Sequence, residues 1–142
     1  MKKVKPVPDG YHTVTPYLAC AEAAQAIAFY KKAFGAKELL CIPGPGGKIG
    51  HAELRIGDSR VMLADEYRER DFLGPLTRGG SPVHLHIYMP RVDKVLERAV
   101  AAGAKVVQPV ENKVWHIASH VEDVPPRELK KRAEKLLKHR GG

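Results

Sequence analysis

Two short stretches of this 142-residue chain gather side chains that can do chemistry. His84, His86 and Tyr88 alternate with Val83, Leu85 and Ile87, and His51, Glu53 and Arg55 alternate with Ala52, Leu54 and Ile56. A period of two is a strand signal, because successive side chains leave opposite faces of a strand. One face of each stretch is therefore polar and ionisable, and the other is aliphatic. Imidazole and carboxylate suit divalent transition ions, and a positioned Glu carries protons. Such a face is either solvated or the wall of a pocket. The aliphatic face needs a cover.

The elements that would position these faces follow in order. Residues 1–10 read as an extended arm. Thr13–Ala19 alternates, with Pro16 inside it, and Pro prefers edges or strand ends. Ala23, Ile27, Tyr30 and Phe34 recur at helical spacing across 21–34, and Gly35 follows as a C-terminal cap. Strands are expected over Ala36–Ile42, His51–Ile56 and Arg60–Asp65, with turns at Pro43–Gly47 and Gly57-Asp58. Tyr67–Gly80 is polar and Gly-rich and reads as a loop. Val83–Met89 then reads as a strand, Val92–Ala102 as a helix closed by Gly103, and Lys105–Gln108 and Val114–His120 as strands. A final helix after Pro125-Pro126 carries Leu129, Ala133, Leu136 and Leu137 on one face.

The pattern occurs twice. Gly35-Ala36-Lys37 and Gly103-Ala104-Lys105 each follow a strand and a helix and precede a strand, at an offset of 68. A repeat outranks guesses about single elements. The repeated unit is strand, helix, strand, strand, strand. The second copy is short: Gly35 to Asp65 spans 30 positions and Gly103 to His120 spans 17. The shortfall falls at Glu111-Asn112-Lys113. Either a strand is missing there, or the chain breaks near Asn112–Val114 beside a lid over the cavity.

Alternation sorts the strand residues into two faces. Val14, Leu18, Leu54, Ile56, Val61, Leu63, Val83, Leu85, Ile87, Trp115 and Ile117 should face the helices. Thr13, Thr15, Tyr17, His51, Glu53, Arg55, Met62, His84, His86, Tyr88, His116 and His120 should lie opposite. For His12, His51 and His120 the plain reading is a hydrogen-bonding group with no ligand. Gly44-Pro-Gly-Gly47 lacks the Lys and the strand–helix context of a phosphate loop and reads as a hairpin turn. Asp65-Glu66 is a strand end, since neighbours on a strand point apart. No Ser or Cys sits with a base in a nucleophile motif.

The net charge of +8 is concentrated at the ends. Residues from Pro125 onward hold seven Lys/Arg and two Glu, and Lys2, Lys3 and Lys5 lie in the other tail. A solvated basic helix explains this better than nucleic acid does. No apolar run is long enough for a bilayer, so no membrane partner is expected. The N-terminus lacks a signal-peptide core. Cys20 and Cys41 have no C-x-x-C spacing, which suits a reducing cytoplasm.

Several stretches carry a family resemblance: Tyr11-His-Thr-Val-Thr-Pro-Tyr-Leu18, Ala26-Ile-Ala-Phe-Tyr-Lys-Lys-Ala-Phe-Gly-Ala36, Gly46-Gly-Lys-Ile-Gly-His-Ala-Glu-Leu-Arg-Ile-Gly-Asp58, Val61-Met-Leu-Ala-Asp-Glu66 and Val114-Trp-His-Ile-Ala-Ser-His-Val-Glu-Asp123. The chain resembles a PhnB-like member of the vicinal-oxygen-chelate superfamily, which also holds glyoxalase I and the bleomycin- and fosfomycin-resistance proteins. The resemblance implies an α+β fold of tandem βαβββ modules, with curved mixed sheets around a pocket and usually in a homodimer. It places the modules at about 11–77 and 78–124 of a domain over 1–124, with a basic C-terminal helix over 125–142.

The resemblance also implies roles. Metal-dependent relatives take ligands from the positions of Thr15, Met62, His84 and His116. Of these, His84 and His116 can bind a divalent ion such as Zn, Ni, Mn or Fe, and Thr15 and Met62 cannot. Glu53 is the expected catalytic proton carrier. Thr15, Tyr17, Arg55, Met62, His86 and Tyr88 are the expected small-molecule contacts. The leading expectation is thus a small-molecule-binding protein, with a metal-dependent enzyme acting on vicinal oxygens in view. The rival is a metal-free protein that sequesters its ligand. A methyltransferase ranks third, because no glycine-rich nucleotide turn supports it.

Overall fold

The computed structural model describes residues 4–107 and a strand at Ile117–Ala118. The elements are β1 (Tyr17–Cys20), α1 (Ala23–Phe34), β2 (Lys37–Pro43), β3 (Ile49–Ile56), β4 (Ser59–Asp65), the single-turn α2 (Pro75–Arg78), β5 (His86–Ile87), α3 (Val92–Ala101) and β6 (Ile117–Ala118). The fold is α+β, as expected. Four strands form a mixed sheet in the order β1-β4-β3-β2, with β1 parallel to β4 and the other neighbours antiparallel. A second, two-stranded sheet pairs β5 with β6.

The core is the aliphatic face of that sheet under α1, with α3 packed on α1. Ala52, Leu54 and Ile56 of β3 and Val61 and Leu63 of β4 are buried against Ala23, Ile27, Tyr30, Ala33 and Phe34 of α1. Val95 and Ala99 of α3 complete the cluster, and α3 packs against α1. Leu54 and Leu63 are wholly enclosed, a burial of about 1.5–3 kcal/mol per side chain. α1 ends where Gly35 takes a left-handed φ of 66° and its N–H reaches the Lys31 carbonyl at 3.2 Å. A residue with a Cβ resists that conformation.

The repeat offset carries α1 onto α3 to within a residue at each end. The strands depart from expectation. β1 begins only at Tyr17, because Pro16 brings no N–H to the ladder. Its carbonyl still accepts the Met62 N–H at 2.9 Å. β5 shrinks to two residues between Pro82 and Pro90, paired with Ala118 and Ile117. Lys105–Val107 forms no strand. Val14 and Val83 are 81% and 64% exposed, which corrects their placement on the helix-facing side. Both precede the point where ladder pairing begins, so no sheet orients them. Residues 67–80 are more ordered than a plain loop. They hold a Tyr67–Phe72 bridge, a 3-10 turn at Arg68–Arg70 and α2.

The expected strand over Val114–His120 is described only at Ile117–Ala118. Trp115, His116, His120, the shortfall at 111–113 and the C-terminal helix lie outside the described residues. Among the described residues no helix is long and apolar enough to cross a membrane.

Candidate functional site

The face of the four-stranded sheet opposite the helices is laid out by strand register. Tyr17 pairs with Met62, and Met62 pairs with Glu53. Cross-strand partners share a face, so these three lie in one row across β1, β4 and β3. Glu53 in turn pairs with Leu40 of β2. The adjacent row is basic: Arg60 pairs with Arg55, and Arg55 with Lys37. Like charges directly opposite destabilise a sheet. His51 lies two residues from Glu53 along β3 and hence on the same face, where it pairs with Ile42.

Glu53 is the hub. The Tyr11 hydroxyl donates a short hydrogen bond to its Oε2, and Arg60 Nη1 lies 3.3 Å from the same oxygen. His51 Nε2 is 3.3 Å from Oε1. The Tyr11 bond is the main reason the Glu53 pKa lies below the usual carboxylate range. His51 and Arg60 add to that effect and burial opposes it. Tyr11 shifts the other way, since its ionisation would break its bond to Glu53 and set two anions together. Arg60 also donates through Nε to the Gly10 carbonyl at 2.9 Å and lies over the Tyr11 ring, 4.3 Å from its centre. The N-terminal arm is thereby strapped to the sheet.

His51 links Glu53 to Tyr17. The Tyr17 hydroxyl is 2.9 Å from His51 Nδ1, and the two rings meet edge-on at 5.3 Å. An ionised carboxylate only accepts hydrogen bonds. A neutral His51 therefore holds its proton on Nε2, towards Glu53, and leaves Nδ1 to accept from Tyr17. Tyr17 thus reaches across β4, the strand between β1 and β3. Phe72 packs against the other side of Tyr17, with ring centres 5.1 Å apart. Tyr17 remains 47% exposed.

A cavity of about 290 Å³ opens at the helix-facing side of the sheet, between the N-terminal arm, the β3–β4 turn and the β5 segment. Thr15, His86 and Tyr88 line it together with Ile56, Val61 and Arg60. The expected site residues thus divide into two groups. Tyr17, Glu53 and Met62 share the open sheet face, while Thr15, His86 and Tyr88 share the cavity. Arg60 touches both. Arg55 is exposed at the sheet end, and His84 is exposed ahead of β5. Sequence reasoning gave no role to Arg60 or Tyr11. Arg60 was detectable by its alternation with Met62; the Tyr11 contact spans 42 positions and left no local signal.

Among the described residues no three His, Cys, Asp or Glu side chains converge as a metal site. Thr15 and Met62 offer no ligand suited to a divalent ion of the zinc or manganese kind. Both Glu53 oxygens already face donors, one of them a guanidinium. His116, the second expected metal ligand, lies outside the described residues.

This order of elements and this mixed sheet have known counterparts. The profile of the Glyoxalase/Bleomycin resistance protein/Dioxygenase superfamily matches residues 11–124. The chain belongs to that superfamily. It is 43% identical over 105 residues to uncharacterised proteins of Mycobacterium bovis and Mycobacterium tuberculosis. Those matches cover 72% of this chain, 69% of the first relative and 62% of the second, so the chain spans less than two thirds of the latter's length. Among solved structures, TioX from Micromonospora sp. ML1 is similar at a TM-score of 0.51 and 28% identity, over 74% of this chain and 81% of that one. Superfamily membership accounts for the mixed sheet with α1 packed on one side.

Proposed function

We propose that this protein binds a small organic molecule on the polar face of its four-stranded sheet, without a metal. The observation that carries this reading is Glu53, held ionised by Tyr11, Arg60 and His51 in the middle of a face that also presents Tyr17, Met62 and Leu40. A mixed surface with a few fixed polar groups is the ordinary make-up of a small-molecule site. Arg55 and Lys37, paired next to this row, offer positive charge to an anionic substituent. Thr15 and Met62, standing where metal-dependent relatives place ligands, support sequestration or metal-free chemistry over a metal centre. The rival, a divalent-metal-dependent enzyme, rests on His84 and His116.

The finer assignments belong to the same proposal. The quoted motifs support a PhnB-like subtype, and the cysteine usage supports a cytoplasmic setting. We read residues 1–124 as the domain and 125–142 as its basic helical extension. A homodimer is supported by β2, the last strand in the sheet order, with Leu39, Leu40 and Ile42 all more than two-fifths exposed.

Two measurements test the reading. Untagged protein incubated with Mn(II) or Zn(II) and then desalted should retain no stoichiometric metal. Retention that is lost in His84→Ala would establish the rival instead. In a small-molecule panel read by NMR, shift changes should gather on Tyr17, His51, Glu53, Arg55 and Met62. Hits confined to other surfaces, or no hits, would overturn the proposal.

A further inference from the structure

We propose that Tyr17, His51 and Glu53 form a proton relay that selects ligands carrying an acidic, phenol-like hydroxyl. The proposal rests on the reading of this face as the ligand site and adds the class of ligand it takes.

With Glu53 ionised and His51 neutral, Nε2–H is the donor to Glu53 at 3.3 Å and Nδ1 is left to accept the Tyr17 O–H at 2.9 Å. The Tyr17 proton points inward along this chain, and the oxygen turns its lone pairs to the open face. Had His51 carried its proton on Nδ1, Tyr17 would instead offer its own O–H outward. The ionised state of Glu53, secured by Tyr11 and Arg60, is what sets this polarity. Tyr17 thus presents an acceptor and selects a ligand that donates.

The same chain can carry a proton. The ligand O–H bond breaks, and its proton forms a new O–H bond on Tyr17. The original Tyr17 O–H bond breaks at the same time, and that proton passes to His51 Nδ1. The products are a ligand oxyanion and an imidazolium, the latter held by the Glu53 carboxylate. No atom or electron is left over. The transfer suits a ligand hydroxyl acidic enough to give its proton to an imidazole. An alkanol is far too weak an acid, whereas a phenol bearing an electron-withdrawing group meets the requirement. The surroundings favour the same class. Phe72 and Tyr17 supply aromatic surface, and Met62 and Leu40 supply apolar surface. The charged and titratable groups known to face the relay are Tyr11 and Arg60, both on Glu53.

The probe is 4-nitrophenol, whose absorbance reports its own ionisation, with 4-nitroanisole as the analogue lacking the hydroxyl. On the intact chain, bound 4-nitrophenol should ionise at a pH lower by about one unit, a tenfold change in its ionisation constant. Tyr17→Phe and His51→Gln should each abolish that shift, and the wild-type protein should bind 4-nitroanisole more weakly than 4-nitrophenol. In the free protein, ¹⁵N NMR should find neutral His51 protonated on Nε2. A shift that survives Tyr17→Phe, a bound probe with unaltered ionisation, or His51 protonated on Nδ1 would overturn the relay. Failure of 4-nitrophenol to bind would overturn the ligand class. If other ligands still perturb this face by NMR, the small-molecule reading stands while the relay falls.

Discussion

The carboxylate of Asp65, at the end of β4, accepts the backbone N–H of Ala23, the first residue of α1, at 2.8 Å. Its second oxygen accepts the N–H of Ile49, where β3 begins, at 2.7 Å. No side chain at the preceding residue, Glu22, caps the helix. One carboxylate thus serves an α1 N–H that has no intrahelical partner and ties three elements together. Asp65→Ala should destabilise the fold by about 1–2 kcal/mol, the usual cost of losing a helix cap. Asp65→Asn, which keeps one acceptor, should cost less. Urea unfolding measures both, and an unchanged midpoint for the alanine variant would refute the capping role.

Glu66 points elsewhere and makes an acid-sensitive contact. Its carboxylate accepts from the Thr77 hydroxyl and from the Gly74 N–H at 2.7 Å, and these bonds lower its pKa. The folded value lies below the unfolded one. The stabilisation is therefore present above the unfolded pKa, near 4.3, and is lost as pH falls through the folded value. Glu66→Gln should make stability less dependent on pH across that acid range. Equal acid limbs for the two proteins in a pH series of thermal melts would contradict this.

Gly74 is required by space. A Cβ there would lie 2.9 Å from the Ala19 carbonyl oxygen and 3.1 Å from Glu66 Oε1. Its φ of −82° is ordinary, so the conflict is steric and not conformational. Gly74→Ala should cost about 1–3 kcal/mol as an overpacked site. It should also move the NMR signals of Phe72 and Tyr17. Gly35 is the opposite case: nothing lies within 4 Å of an added Cβ, but φ is 66°. Gly35→Ala should cost about 1–2 kcal/mol through backbone conformation and leave the Tyr17 signals in place. Both costs are read from denaturant midpoints.

The strap formed by Tyr11 should loosen at both ends of the pH scale. Glu53 has a lowered pKa, so its contribution is lost as pH falls through that value. Tyr11 has a raised pKa, so its contribution is full below the unfolded value, about 10, and is lost as pH rises through the folded one. Tyr11→Phe should return the Glu53 pKa towards the ordinary carboxylate value, followed by carboxyl carbon NMR. It should also speed amide exchange over residues 10–12. An unmoved Glu53 titration would separate Tyr11 from the site.

Much of the fold was legible in the chain because local periodicity carries it. The spacing of Ala23, Ile27, Tyr30 and Phe34 marked α1, and the alternation of Ala52, Leu54 and Ile56 with His51, Glu53 and Arg55 marked both faces of β3. Gly35 closed the helix where expected. Val14 and Val83 misled because they alternate like strand residues yet have no ladder partner in the described structure, and alternation alone does not reveal pairing. Alternation put Tyr17, His51, Glu53, Arg55 and Met62 on one face, and strand register has them so. It held no information on which of them would meet.

By itself, then, the sequence determined α1 and α3, the cores of β3 and β4 and the side of the sheet on which the residues of those two strands fall. These follow from backbone geometry acting over a few residues, with periods of 3.6 and 2.0. Only the tertiary structure decided that Tyr17, Met62 and Glu53 stand in one row, and that Tyr11 and Arg60 meet on Glu53. It alone set His51 between Tyr17 and Glu53, and Asp65 at the start of α1. Those contacts depend on strand register and on the path of the arm, where sliding one residue turns every side chain to the other face. The packing of the whole core selects the register, so no short stretch of sequence encodes it.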